Sequence, residues 1–209
     1  ISAKKLKLIQ YGARISRFNP VDPVIYNKKQ TKKKDFDILF VGSFGIRKGA
    51  IDILEAFKNF DHPNKVLTIV GSISKNVKTL LKKYETENIK IVGTVRNDLL
   101  IKYYQNSDVF LLPSIEEGSA VVILEAMASG CPVIVSNNAG ADYINNGKNG
   151  FIVPIRSPNK ICEYLQKISE DNVLKENLRN NSLKFISKIN GWCEYGEKFN
   201  ELIKSINKN

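Results

Sequence analysis

A single histidine, one methionine, one tryptophan and three cysteines are all that 209 residues contain of these types, and each scarcity removes a class of chemistry. One histidine leaves no Ser-His-Asp relay and no histidine-rich zinc site, so covalent hydrolases and metalloenzymes of those kinds are excluded. That residue, His62, stands in the turn-forming run Asp61-His62-Pro63-Asn64 and is read as a solvated loop residue. Cys131, Cys162 and Cys193 lie in apolar stretches without metal-ligand spacing; an odd, scattered set fits a reducing, cytosolic compartment rather than a disulfide framework. No apolar run approaches the roughly twenty residues that span a bilayer. The first residues, Ile1 to Lys5, carry neither an initiator Met nor the apolar core of a signal peptide, so the sequence reads as cut from a longer one.

What is present is a hydrophobic fraction of 43%, sufficient for a sizeable core, and a net charge of +11 contributed mainly by lysine. Such a charge suits nucleic acid, an anionic membrane surface or a polyphosphate ligand. No nucleic-acid motif accompanies it, and Lys28, Lys29, Lys32, Lys33 and Lys34 cluster in a linker-like stretch, where charge runs are solvated. Lys5 to Tyr11 reads as a short strand and residues 13 to 35 as a polar, basic loop. Apolar strand-like runs then recur at Ile38 to Val41, Val66 to Val70, Ile89 to Val92, Val109 to Leu112 and Val133 to Val135. Between them Ile53, Phe57 and Phe60 mark one amphipathic helix, and Leu99, Leu100, Tyr103 and Tyr104 another. Alternation of this kind predicts an α/β fold, a Rossmann-like parallel sheet with helices on both faces, its strands buried on both sides. After Phe151 to Pro154 the pattern becomes helical. The expected organisation is residues 1–35 as the start of the domain and a basic linker, 36–190 as the Rossmann-like domain and 191–209 as a C-terminal helix.

Two carboxylates, Glu117 and Glu125, flank an expected helix start with seven residues between them, following the strand that ends at Leu112. Acidic residues at helix starts often do no more than complement the helix dipole. A helix start at the carboxyl end of a parallel strand is also where anions bind, because its first amides are free. Carboxylates on both sides of such amides suit a nucleotide-sugar, with hydroxyls at its ends and phosphates between. A second strand runs into the glycine-rich turn Gly42-Ser43-Phe44-Gly45-Ile46-Arg47-Lys48-Gly49. It is neither a Walker loop nor GxGxxG; it is a generic basic turn or a place where amides, Arg47 and Lys48 meet a phosphate.

The segment Pro113 to Val153, with Glu-x7-Glu, a Gly-x-Pro-Val-Ile-type strand and an Asn/Gly-rich turn in that order, resembles the retaining glycosyltransferase superfamily with two Rossmann-like lobes called GT-B. More narrowly it is similar to family 4 of the glycosyl group 1 transferases. The resemblance implies a chain that holds the donor, a nucleotide-diphosphate sugar. The acceptor, a glycan or a lipid-linked glycan, belongs to an N-terminal lobe, without which the chain transfers no sugar. The last helix crosses back toward that lobe, and an anionic membrane surface is a partner at the cytoplasmic leaflet. Lys48 matches the lysine that holds the diphosphate. Ser43 stands where the family most often has an arginine; Arg47 substitutes for it or faces solvent. The resemblance places Glu117 beside the sugar, Gly118, Ser119, Ala120, Val121 and Val122 along sugar and phosphate, Glu125 on the ribose diol and Val95 near the base. Ser119-Ala120 replaces the commoner Phe-Gly pair. Asn138, Gly140 and the Asn145 to Gly150 turn shape the cleft wall. No metal and no cofactor are needed. The competing readings are a nucleotide-sugar 2-epimerase, whose relatives lack this string of residues, and a noncatalytic binding domain, supported by the substituted arginine alone.

Overall fold

Strands of near-continuous Val, Ile and Leu must be covered on both faces, and a computed structural model of the chain supplies that cover. It describes residues 7, 9, 15–26, 35–84, 87–118, 120–189 and 191–206. Strand β1 (Phe36–Val41) leads through a turn to helix α1 (Ala50–Asn59) and strand β2 (Lys65–Val70). Helix α2 (Lys75–Tyr84), β3 (Ile89–Gly93), α3 (Asn97–Asn106) and β4 (Val109–Leu112) follow. Then come α4 (Val121–Ala128), β5 (Val133–Ser136), β6 (Phe151–Val153), α5 (Pro158–Glu170), α6 (Asn172–Ile186) and α7 (Trp192–Ile206). All six strands are parallel, in the order β3-β2-β1-β4-β5-β6. The succession reverses between β1 and β4, so the connections leaving these neighbours go opposite ways and open a crevice at their carboxyl ends.

The five expected strands are present within a residue or two of their sequence limits, and β4 spans the residues named for it. Burial on both sides holds for the central strands: Ile38, Leu39, Phe40, Val109, Phe110, Leu111, Leu112 and Val133 are all inaccessible. It fails at β3, where Ile91 and Val92 are 48% and 38% exposed, because this strand is an edge of the sheet. Phe151 to Val153, taken only as the last apolar run before the helices, is a sixth strand paired to β5. In α1, Ile53, Phe57 and the following Phe60 are buried as the spacing requires; in α3, Leu100 and Tyr104 are buried, whereas Leu99 faces outward. Asp171 caps α6 by accepting from the Leu174 amide at 2.9 Å.

The expected strand over Lys5 to Tyr11 falls almost wholly outside the described residues, as do the linker lysines. Within the expected loop, Ile15–Arg17 form a 3₁₀ turn and residues 23–26 a helical turn. The segment is held by aromatics: Phe18 and Tyr26 are buried, and Arg179 of α6 lies over the Tyr26 ring at 4.2 Å while donating to the Val21 carbonyl. His62 lies in a loop and is partly exposed, as expected, and it also makes contacts within the protein. Its ring stacks on Phe60 with centroids 5.7 Å apart, and its Nδ1 accepts from the Asn64 amide.

At the carboxyl end of β1 and β2 the backbones of successive turns touch. A Cβ on Gly71, whose φ is +133°, would lie 1.9 Å from the Gly42 carbonyl oxygen.

Candidate functional site

The turn after β1 reaches the turn after β4 because Gly49 is left-handed, with φ 77°, and has no side chain. A Cβ there would fall 2.2 Å from the Pro113 carbonyl oxygen. With the two backbones this close, the Ile115 amide donates to the Arg47 carbonyl at 2.8 Å, and Arg47 Nη1 donates to the Glu116 carbonyl at 3.1 Å. The register set by these bonds brings Lys48 Nζ onto Glu117 Oε2 as an ion pair. The two side chains are 17% and 14% exposed, enough for solvent or a ligand to reach them. From the other side, Asn138 Nδ2 donates to the Ile115 carbonyl at 2.8 Å, and Ser136 Oγ donates to the Ser114 carbonyl. The loop bearing Glu117 is therefore braced by Ser136 at the end of β5 and by Asn138 just after it. The Asn145–Gly150 turn is likewise self-braced, Asn149 accepting from the Asn145 amide and donating to the Tyr143 carbonyl.

Helix α4 begins at Val121, between the two carboxylates as expected, and Ala120 at its N-cap makes no side-chain capping bond. The first-turn amides are thus not closed by a side chain, and the positive end of the helix dipole faces the crevice. Gly118 is exposed, Ala120 buried, and Val121 and Val122 half-buried; Ser119 lies outside the described residues. Ile123, Leu124, Ala126 and Met127 are buried, so Val121, Val122 and Glu125 form the one accessible stripe of the helix. Tyr104 Oη, from α3, donates to Glu125 Oε2 at 3.1 Å. Burial raises the Glu125 pKa above the usual carboxylate range, and the Tyr104 hydrogen bond works against that rise.

The structure thus joins Arg47, Lys48, Glu117 and Gly118 at one point, with α4 leading from it to Glu125. Ser43 is exposed on the β1 turn. Val95 is not part of this cluster. It follows β3, two strands from β1, and its half-buried side chain packs against the core. Tyr104 was legible only as an apolar stripe position. The signal that it does more was its hydroxyl, since a buried tyrosine needs a partner for it. Among the described residues no three His, Cys, Asp or Glu side chains are grouped to hold a metal ion, and no helix is long and apolar enough to cross a membrane.

Residues 22–185 match the family described as "Glycosyl transferases group 1". The chain is 31% identical over 182 residues to the capsular polysaccharide biosynthesis glycosyltransferase CapM of Staphylococcus aureus, covering 81% of this chain and 47% of CapM. It is 30% identical over 200 residues to an Escherichia coli UDP-Gal:alpha-D-GlcNAc-diphosphoundecaprenol alpha-1,3-galactosyltransferase, covering 86% of this chain and 50% of that enzyme. The chain spans about half the length of the curated relatives it matches. Its fold is that of Anabaena HepE, solved in complex with UDP (TM-score 0.84, 20% identity, 98% of this chain and 58% of that one). It is also that of the C-terminal domain of a glycosyl transferase group 1 protein from Francisella tularensis (TM-score 0.70, 22% identity, 84% of this chain and 97% of that one).

Proposed function

The chain belongs to the glycosyl transferases group 1 family, and we propose that it is the donor-binding half of a retaining, family 4-like glycosyltransferase. The enzyme moves a sugar from a nucleotide-diphosphate sugar to a glycan or lipid-linked acceptor, in cell-surface polysaccharide or glycoconjugate synthesis. The observation that carries the proposal is the Lys48–Glu117 pair standing in the β1–β4 crevice beside the uncapped start of α4.

A diphosphate offers several acceptor oxygens and two or more negative charges. Lys48, the Arg47 guanidinium and the amides of Gly118, Ala120, Val121 and Val122 are the donors at this crevice, and a preorganised set of this kind stabilises charge as it develops on a leaving group. In the transfer the bond from the anomeric carbon to the diphosphate oxygen breaks, its electron pair goes to the diphosphate, and the acceptor hydroxyl oxygen bonds to the same carbon while its proton passes to the departing diphosphate. Lys48 then exchanges part of its contact with Glu117 for phosphate oxygens. Glu117, freed in the same proportion, accepts from sugar hydroxyls. Glu125 accepts from the ribose diol, and the base extends along the sheet edge toward the Val95 backbone. The work needs no metal ion. Two strand spacings separate β1 from β3, about 10 Å, a span a nucleotide covers.

The acceptor is supplied by a second lobe. Support for this is the half-length coverage of the relatives and helix α7, which buries no residue and exposes Trp192, Phe199, Ile203 and Ile206; this helix crosses to that lobe. The net charge of +11 favours residence at an anionic cytoplasmic membrane face. Titration of the chain with UDP, ADP and GDP, followed by amide and side-chain chemical shifts, tests the donor site. Shifts centred on Lys48, Glu117 and Glu125 are expected; saturating binding that leaves all three unmoved overturns it.

A further inference from the structure

Glu125 belongs to the accessible stripe of α4, yet one of its oxygens is held from beneath by a residue on another helix. Tyr104 is 0% exposed. Its ring meets Phe18 edge-on, centroids 5.9 Å apart at 74°, and Phe110 of β4, 5.8 Å apart at 66°. A ring this fully buried and packed against two others is held close to one rotamer, so the place of its hydroxyl is set by the core rather than by the crevice. That hydroxyl donates to Glu125 Oε2 at 3.1 Å. A glutamate has three rotatable bonds, and one on a helix surface ordinarily samples several rotamers. Here the bond from below selects one of them.

We propose that Tyr104 is a positioning residue: by fixing Glu125 Oε2 from the core, it leaves Oε1 and the remaining lone pairs turned outward in one orientation, preset to receive both hydroxyls of a ribose. This rests on the donor-site reading above, in which Glu125 meets the ribose. A carboxylate provides about four lone-pair directions, so one bond to Tyr104 leaves enough for a vicinal diol. A diol binds well only when both of its bonds form without first freezing the acid, and freezing it in advance is what a core-anchored tyrosine contributes. The same arrangement gives selectivity for ribonucleotides, because a donor lacking one hydroxyl leaves a desolvated carboxylate oxygen without its partner.

A core role alone would make Tyr104 matter for stability and for nothing else, and the two accounts separate cleanly. Dissociation constants are measured by calorimetry for UDP and 2′-deoxy-UDP, with the ADP and GDP pairs run alongside, on wild type, Tyr104→Phe, Glu125→Gln and the double variant. Wild type is expected to prefer the ribo form. Tyr104→Phe, which keeps the ring, is expected to reduce that preference roughly fivefold, and the double variant to reduce it no further than Glu125→Gln does. Tyr104→Phe with an unchanged preference and a lowered melting temperature overturns the proposal while leaving the donor site intact. Failure of every nucleoside diphosphate to bind wild type removes the donor-site reading itself, and this inference with it. Wild type labelled at the glutamate carboxyl carbons provides a readout that needs no variant. The Glu125 signal is expected to move on addition of UDP and to move less with 2′-deoxy-UDP, and equal movement with both overturns the proposal.

Discussion

Two ion pairs bracket strand β4, one at its entry and one at its exit, and they are built to opposite ends. At the entry Asp108 pairs with Lys175 of α6 at 3.0 Å, their side chains 2% and 8% exposed, and the second Asp108 oxygen accepts from the Asp37 amide at the start of β1. At the exit Glu117 pairs with Lys48, and both remain reachable. The entry pair ties β1, β4 and α6 together below the surface, one Asp108 oxygen on the Lys175 ammonium and the other on backbone. The exit pair stands beside a helix start with no side-chain cap, so its members have somewhere else to go. Charge enclosed serves architecture, and charge kept within reach serves exchange.

The sharpest way to break this contrast is to remove one member of the enclosed pair. Lys175→Met removes the counter-charge from the buried Asp108 carboxylate and is expected to cost about 3–5 kcal/mol, read as a lower urea midpoint. The same measurement on Lys48→Ala is expected to show a change within about 1 kcal/mol, as for accessible pairs. Equal losses would erase the distinction. Gly49→Ala comes next. Its left-handed backbone alone costs a non-glycine residue about 1–3 kcal/mol, and the Cβ must also push Pro113 away, so stability and nucleoside diphosphate affinity are expected to fall together. Lys48→Ala, in contrast, is expected to separate the two, weakening UDP binding by roughly tenfold or more, the worth of a charged hydrogen bond, with the fold intact. Arg47→Ala is expected to weaken it less, because this guanidinium is exposed and already bonded to the Glu116 carbonyl.

The smallest expected effect is set by pH. The folded-state pKa of Glu125 lies above its unfolded value because burial disfavours the charge. Its ionisation therefore opposes folding at neutral pH. That penalty is relieved as pH falls through the raised pKa toward the unfolded one. Glu125→Gln is accordingly expected to leave stability at pH 7 unchanged or slightly raised, and to flatten any dependence of UDP affinity on pH in the mildly acidic range. In wild type that affinity is expected to fall as the carboxyl gains its proton. Calorimetry at a series of pH values checks both.

The sequence disclosed most of the sheet because buried parallel strands need long apolar runs, and it missed β6 because three residues, Phe151 to Val153, are too short a run to separate from a loop. The misjudgement of β3 has a different reason. Ile89 to Val92 is grouped with the buried strands although it carries Lys90, a charged residue of the kind that marks sheet edges, and that signal goes unused. At the site, the identity of Lys48 and Glu117 was legible and their contact was not. That contact depends on Gly49 admitting Pro113, two turns 64 residues apart in the chain, and spacing within either turn carries no trace of it. The Tyr104–Glu125 bond was hidden in the same way, between a stripe on one helix and a lone acid on the next.

The contact of Gly71 with the Gly42 carbonyl has a consequence for how such a protein diversifies. Where the turns after β1 and β2 meet, beside the crevice, the contact is bare peptide, and adding even a methyl group at Gly71 displaces the main chain. New preferences cannot be written into that contact. They have to arise along the rim, in the segments after β4 and β5, where Glu116 and Gly118 are exposed and a changed side chain alters what is gripped without unseating the sheet.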